Sequence, residues 1–471
     1  MNSANGTPAH PQLLSALIIA ALTTAVVSSL GMLLVPTISS EMSVEVSTGQ
    51  WMLTINLLVG AISTPIMGRL SDGPHKKRLL ITSLTCILAG SIVSAVAPNF
   101  IVLLIGRALQ GLTYGIVPVT IALARRYLTE RDVRAGISSL SVTVSAGLGI
   151  GYPLTGILAA LLGYRFAFWF AALFLVATTA IIMFVVPDGP DEHAPRSSFD
   201  LVGALLVGAG LALVLVAISE GSDWGWGSVA TLCLFGSAAL SFTAWVLVEL
   251  RVPHPLINLR ALNSPDVLIA NGTAIGLGAA LYVCLSIVSL IAQAPAASGF
   301  GLAMPLFWAG FVMLPLSVGS IGANRVVRMI AHRVHMRTLL VVGAGLVCAS
   351  SVQMWLAHNG LPEVLLGMLG FGIGIGTTFA AMPALIARSV ADTALGSAVS
   401  FNQVLRTVGG TFGSAVSGSV LAAHLSVELD PTSAGVQMAL GLGAIGSAAV
   451  FVALVVDRIA TGGQTSELGD G

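Results

Sequence analysis

Apolar runs long enough to cross a membrane recur along the whole chain, broken by short polar stretches. They fall near residues 13–36, 49–70, 79–97, 100–123, 137–162, 166–187, 201–219, 228–249, 267–292, 302–323, 338–357, 362–386, 397–422 and 434–456. About 20 apolar residues suffice for a helix to span a bilayer. Each run is apolar on all sides, with Gly and Pro scattered inside, which suits membrane helices better than amphipathic soluble ones. The pattern predicts an all-α integral membrane protein with fourteen transmembrane helices.

Composition agrees. Of 471 residues, 56% are hydrophobic and only 8% charged, against about a quarter charged in a soluble domain. The 53 glycines favour close packing of helices through small-residue stripes. Cys86, Cys233, Cys284 and Cys348 all lie inside apolar runs, with no metal-ligand spacing, and read as inert buried thiols. No Lys or Arg precedes the first apolar run, so that run reads as a retained span and not a signal peptide.

Basic residues set the orientation. Arg69, Lys76, Lys77 and Arg78 flank the 2–3 loop; Arg125, Arg126, Arg131 and Arg134 flank the 4–5 loop; Arg325, Arg328, Arg333 and Arg337 mark the 10–11 loop. Arg196, Arg251, Arg260, Arg388 and Arg458 fall on the same side, and only Arg165 falls clearly opposite. The Arg-rich side is expected to be cytoplasmic, with both termini on it. The polar stretch 188–200 separates six spans from the rest. The plan is a six-helix bundle over 1–187, a linker with two extra helices over 188–258, a second six-helix bundle over 259–460 and a cytoplasmic tail over 461–471.

Four stretches carry candidate chemistry. The first, GRLSDGPHKKR, runs from Gly68 to Arg78 and holds Asp72, Lys76, Lys77 and Arg78. A carboxylate at the end of span two can accept hydrogen bonds from a helix N-terminus or pair with an Arg. The basic run alone also fits a solvated loop at an anionic leaflet. The second, LLIGRALQGLTYG, places Arg107 and Gln110 within span four. An intramembrane Arg costs about 2.5–3.5 kcal/mol on insertion scales. It therefore faces a polar cavity or a partner, or snorkels to the interface.

The third, SAGLGIGYPLTG in span five, carries Gly147, Gly149, Gly151, Pro153 and Gly156, a packing stripe with a kink. The fourth, FNQVLRTVGGTFG in span thirteen, carries Asn402, Gln403 and Arg406. Arg406 lies ~15 Å into the membrane at helical rise, either facing a cavity or bonding a neighbouring helix. Asn56 in span two and Gln293 at the end of span nine can line the same cavity.

In this order the four stretches resemble the major facilitator superfamily, and within it the fourteen-span drug:proton antiporters. Gln50 and Trp51 at the head of span two are similar to that branch as well. The resemblance implies two six-helix bundles with an inserted pair, and a substrate site between them near mid-membrane. It implies a secondary transporter that exports small organic molecules, a drug or a metabolite, across the plasma membrane in exchange for protons. Asp72 and the basic run would be a conformational latch. Arg107 with Gln110 would gate the proton or an anionic group, and the glycine-rich stretch would mark an exporter. The alternative is an importer or uniporter of the superfamily for a small neutral or anionic solute.

Three positions depart from the family pattern. His75 stands where a Gly is usual, Tyr152 separates Gly151 from Pro153, and Val27 occupies the usual place of an Asp in span one. With all acidic residues in loops or near span ends, the two intramembrane Arg suit a neutral or anionic substrate better than a cation. No HExxH, no GxSxG with an acid–base partner and no GxxxxGK[ST] is present. The chain is therefore expected to be no enzyme, to have no catalytic residues, no metal and no cofactor, and to use no ATP and bind no nucleic acid.

Overall fold

The computed structural model describes residues 11–71, 73–128, 140, 147, 151–188, 200–252, 255, 259, 264–330, 333–390, 392–426 and 430–467. Helix follows helix. These are α1 (Pro11–Glu41), α2 (Trp51–Ser71), α3 (Lys76–Val96), α4 (Phe100–Tyr127), α5 (Gly151–Leu162), α6 (Tyr164–Val185), α7 (Leu201–Trp224) and α8 (Val229–Glu249). They continue as α9 (Pro265–Gln293), α10 (Leu306–Val327), α11 (Met336–Leu356), α12 (Leu361–Ser389), α13 (Asp392–Ala422) and α14 (Ser433–Glu467). Among the described residues twelve helices are long and apolar enough to cross a membrane. α5 is shorter as described, because much of the predicted fifth span lies outside the described residues.

Polar residues start several helices where the apolar runs begin. Asn99, Asp200, Ser228 and Ser264 each accept a backbone N–H from the first turn of α4, α7, α8 and α9, as N-caps do. Gly163, at φ +88°, is the whole connection between α5 and α6, a conformation that glycine adopts without strain. At the far end of α3, Arg165 donates to the carbonyls of Ala95 (3.4 Å) and Ala97 (2.9 Å). It satisfies acceptors that a helix end leaves open.

Several element ends differ from the sequence reading. α1 runs through Pro36 to Glu41, since a membrane helix absorbs a proline when neighbours cover the freed carbonyl. α4 tightens into a 3₁₀ turn over Gly111–Gly115. α10 breaks at Met313 into Leu306–Val312 and Leu314–Ile330, just before Pro315, whose ring opposes a continuous helix. Glu220, expected in a loop, lies in the last turns of α7.

α1 to α4 form one set with α6, which packs on α1 and α3, and α9 pairs with α13, α11 with α12 and α14, and α10 with α12. These two sets meet where α2 runs along α13 and α1 crosses α9. A single buried apolar cluster takes Leu33, Leu34 and Met52 from one set and Ile287, Ile291 and Met313 from the other. α7 lies over the α2–α13 contact, where its Leu211, Leu215 and Ile218 pack with Leu58, Ala61 and Ala415. α8 pairs with α7, and only 11% of its apolar window is buried. The rest of that apolar surface has lipid as its natural solvent.

Candidate functional site: the seam between the two helix sets

Among the described residues, three groupings of polar side chains bear on the interior of the bundle. The first is a knot within α1–α4. The Arg107 guanidinium, 1% exposed, donates to the Met52 carbonyl (3.2 Å), the Val27 carbonyl (3.5 Å) and Gln110 Oε1 (2.6 Å). Gln110 Nε2 passes the chain on to Ser91 Oγ at 2.9 Å. Asn56 Nδ2 donates to the Arg107 carbonyl at 3.1 Å, so α2 and α4 hold each other from both directions. Arg107, Gln110 and Asn56 thus share one cluster whose acceptors are all protein atoms. Val27, at the position where an Asp is usual, supplies a backbone carbonyl.

The second place is in α9 and α13. Asn402, buried, donates to the Ala270 carbonyl (2.9 Å) and Asn271 Oδ1 (3.0 Å). Next to it Gln403 and, one turn further along α13, Arg406 are only partly buried. The Arg406 guanidinium donates to Gln403 and lies 4.2 Å over the Phe379 ring of α12. Among the described residues neither Arg107 nor Arg406 pairs with a carboxylate.

The third place is the seam itself. Near the end of the bundle that carries Trp51, Thr54 of α2 and Ser414 of α13 share a hydrogen bond of 3.1 Å. Gln293 of α9 donates to the Leu33 carbonyl of α1 at 2.9 Å and accepts from Thr37 at 3.4 Å. Deeper in, the Tyr114 hydroxyl of α4 meets the Tyr282 hydroxyl of α9 at 3.0 Å, and Ser28 of α1 donates to Tyr114 at 3.2 Å. Two glycines make room for these rings. A Cβ on Gly60 would stand 2.5 Å from the Tyr114 ring, and one on Gly410 would stand 2.6 Å from the Tyr282 ring.

α5 closes the seam against α10 by backbone contact. A Cβ on Gly310 would meet the Tyr152 carbonyl at 2.7 Å and Pro153 Cα at 3.2 Å. A Cβ on Gly156 would meet the Leu306 carbonyl at 2.9 Å. Gly147 and Gly151 face α1 instead, against Ala25 and Ser29.

The Gly68–Arg78 stretch lies at the opposite end of the bundle from Trp51. Asp72 is outside the described residues. Gly68 lies near Pro118. Lys76, buried, donates to the Gly73 carbonyl at 3.0 Å. Lys77 joins Asp188, beyond the end of α6, at 2.6 Å, and Arg78 begins α3 with its neighbours.

At that same end a second charged cluster ties four helices. Asp266 of α9 accepts from Arg337 Nε of α11 (2.7 Å) and from Ser389 of α12 (2.8 Å), and Arg337 also reaches Asp457 of α14 (3.4 Å). The side chains of the Arg337–Asp266 pair are 28% and 24% exposed, which limits its worth to about 1 kcal/mol. Arg337→Ala is expected to lower the melting temperature of the purified protein by a few degrees, a shift that differential scanning fluorimetry resolves.

Sequence reading missed Tyr114, Tyr282 and Phe379. Tyr114 stands four residues after Gln110 and seven after Arg107, on the same helix face, and that spacing is visible in the sequence. Tyr282 and Phe379 carry no such signal.

The sequence profile of the Major Facilitator Superfamily matches residues 16–414. Among curated proteins, the multidrug resistance protein Stp of Mycobacterium tuberculosis is 26% identical over 399 residues, covering 84% of this chain and 73% of Stp. The quinolone resistance protein NorB of Staphylococcus aureus is 24% identical over 439 residues, covering 89% of this chain and 90% of NorB. Among solved structures, the nucleoside transporter NupG superposes with a TM-score of 0.63 at 11% identity, over 94% of this chain and 99% of that one.

Proposed function

We propose that this chain, which belongs to the Major Facilitator Superfamily and is a multi-pass membrane transporter, exports small organic molecules across the plasma membrane by alternating access. The observation that carries the reading is the chemistry of the seam. Its described polar contacts are hydrogen bonds between neutral groups, Thr54 with Ser414, Gln293 with Leu33 and Thr37, and Tyr114 with Tyr282. Each is worth about 1 kcal/mol net, so two rigid helix sets held this way can part and rejoin. The Arg107 knot, the Arg406–Gln403 pair and the Asp266–Arg337 cluster each lie within one set and move as units.

α5 and α13, added to the twelve long apolar helices, bring the count of spans to fourteen. We take α7 and α8 as the pair inserted between two six-helix bundles. An even count puts both termini on one side, and the distribution of Lys and Arg makes that side cytoplasmic. The end that carries Trp51 is then extracellular, and the seam as described is closed there. Substrate enters between the sets from the cytoplasm or inner leaflet. Asp72 with Lys76, Lys77 and Arg78 is the latch that steadies one state. The relatives whose names record multidrug and quinolone resistance favour export and a drug-like cargo. Proton exchange is the driving reaction we propose, by resemblance to the antiporters.

The test uses the purified full chain in proteoliposomes without ATP. An imposed pH gradient is expected to drive accumulation of substrates found in an efflux screen, and a proton uncoupler to abolish it. Flux that is unchanged by the uncoupler refutes proton exchange and leaves the carrier reading. Absence of any ATP-independent flux refutes the carrier.

A further inference from the structure

The two intramembrane arginines look alike in sequence but differ in what is left for a ligand. Arg107 is enclosed, with its Nε and Nη1 donating to two carbonyls and Gln110. Arg406 is partly open, and among the described residues its hydrogen-bond partner is Gln403 alone. Its flat face is covered by Phe379, which fixes the plane of the guanidinium and does not cover its edge. A guanidinium edge presents paired N–H donors that match the two oxygens of a carboxylate, sulfonate or phosphate.

Among the described residues the surroundings add donors and no negative charge. Tyr282 stands beside Arg406, its ring against Gly410, one helical turn further along α13. The Tyr114 hydroxyl is 3.0 Å from that of Tyr282 and comes from the other helix set. Arg406 and Gly410, which packs on the Tyr282 ring, lie four residues apart on one face of α13. Phe379 and the two phenol rings supply flat apolar surface. A cation held in the membrane interior without a counter-ion is costly. A ligand that brings the missing negative charge recovers that cost, whereas a cationic ligand adds to it.

We infer that Arg406, with Tyr282 and Tyr114, forms the recognition site for the acidic group of an aromatic organic anion, whose ring system lies among Phe379 and the tyrosine rings. This rests on the transport reading above and names the substrate class of that carrier. It also gives binding a route to the seam. In the closed seam one of the Tyr114 and Tyr282 hydroxyls donates to the other. An anion that accepts from that donating hydroxyl replaces a bond between the two helix sets by a bond to the cargo.

Three probes of one size and three charges test it: 1-naphthoate, the neutral 1-naphthamide and the cationic 1-naphthylmethylammonium. Each is titrated into the detergent-purified full chain, with thermal stabilisation as the readout, and radiolabelled naphthoate is followed into proteoliposomes. Naphthoate is expected to bind at least about tenfold more tightly than either analogue, the value of one charge-assisted hydrogen bond. Arg406→Gln is expected to erase that preference and Arg406→Lys to retain part of it. Tyr282→Phe is expected to weaken naphthoate binding while leaving the amide unchanged.

Equal stabilisation by all three probes, stronger stabilisation by the cation, or none by naphthoate up to its solubility overturns the assignment. If Arg406→Gln does not fold, the comparison of the three probes on the native protein still decides. Naphthoate that binds with the expected preference while no tested substrate shows ATP-independent flux refutes the carrier reading and leaves the anion site standing. ATP-independent flux of other substrates without any preference for the anion does the reverse.

Discussion

Arg107→Ala is expected to abolish transport and to destabilise the protein by about 3 kcal/mol or more. The side chain is buried and charged, and it donates to Met52, Val27 and Gln110. Hydrogen bonds to charged groups contribute about 1.5–3 kcal/mol each, and truncation adds a void where packing was dense. The damage extends beyond one residue. Gln110 loses the donor that orients it toward Ser91, and α1, α2 and α4 lose their common tie. Arg107→Lys is expected to fall between, since an ammonium is a point donor and cannot reproduce the planar fork. Ser91→Ala removes only the last bond of the chain and is expected to cost about 1 kcal/mol. Melting temperatures of the three purified variants, read beside their flux in proteoliposomes, check this order. An Arg107→Ala protein as stable as the native one would refute it.

Gly310→Val separates folding from function. Each helix set can form without the contact between α5 and α10, but the seam cannot close on it. A Cβ on Gly310 would already stand 2.7 Å from the Tyr152 carbonyl, and backbone cannot step aside as a flexible side chain does. Overpacking of this kind costs about 1–3 kcal/mol, and here the cost is charged to one state of the transporter. Since about 1.4 kcal/mol is tenfold in an equilibrium, transport is expected to fall by about tenfold or more with little change in melting temperature. In a cysteine-free background, Thr37→Cys at the Trp51 end is expected to react faster with a water-soluble maleimide once Gly310→Val is added. Unchanged labelling would show that α5 and α10 do not set the closure.

Hydrophobic patterning made the helices legible, because length and apolarity are written locally. The runs near 201–219, 228–249 and 267–292 match α7, α8 and α9 to within a few residues at most ends. The ends that moved did so for reasons outside the local pattern. α1 passes Pro36 because neighbours tolerate it, and α10 breaks at Met313 ahead of Pro315. The glycine stretch of span five was legible as a packing stripe, but its partners were not. Gly147 and Gly151 face α1, whereas Gly156 faces α10.

The polar groups show the limit more sharply. Arg107 and Arg406 each stand three residues from a Gln with which they share a hydrogen bond. Sequence gives them the same description. Their difference lies in what three other helices place around them: carbonyls of α1 and α2 around Arg107, and an aromatic ring of α12 under Arg406. Asp266 and Arg337 are 71 residues apart and meet only because α9 and α11 begin side by side. Tyr114 and Tyr282 meet only because the two sets close.

The ends of the molecule also differ in how they feel the electrolyte around them. The described seam contacts near Trp51, Thr54 with Ser414 and Gln293 with Leu33 and Thr37, are between uncharged groups, so dissolved ions have little in them to shield. At the other end Lys77 faces a nearly fully exposed Asp188, and the Asp266–Arg337–Asp457 cluster is part-exposed. Mobile ions screen such pairs over a distance of about 8 Å at about 0.15 M. Raising ionic strength therefore loosens one rim of the protein and leaves the other as it was. The balance between its two closures becomes a property of the medium as well as of the chain.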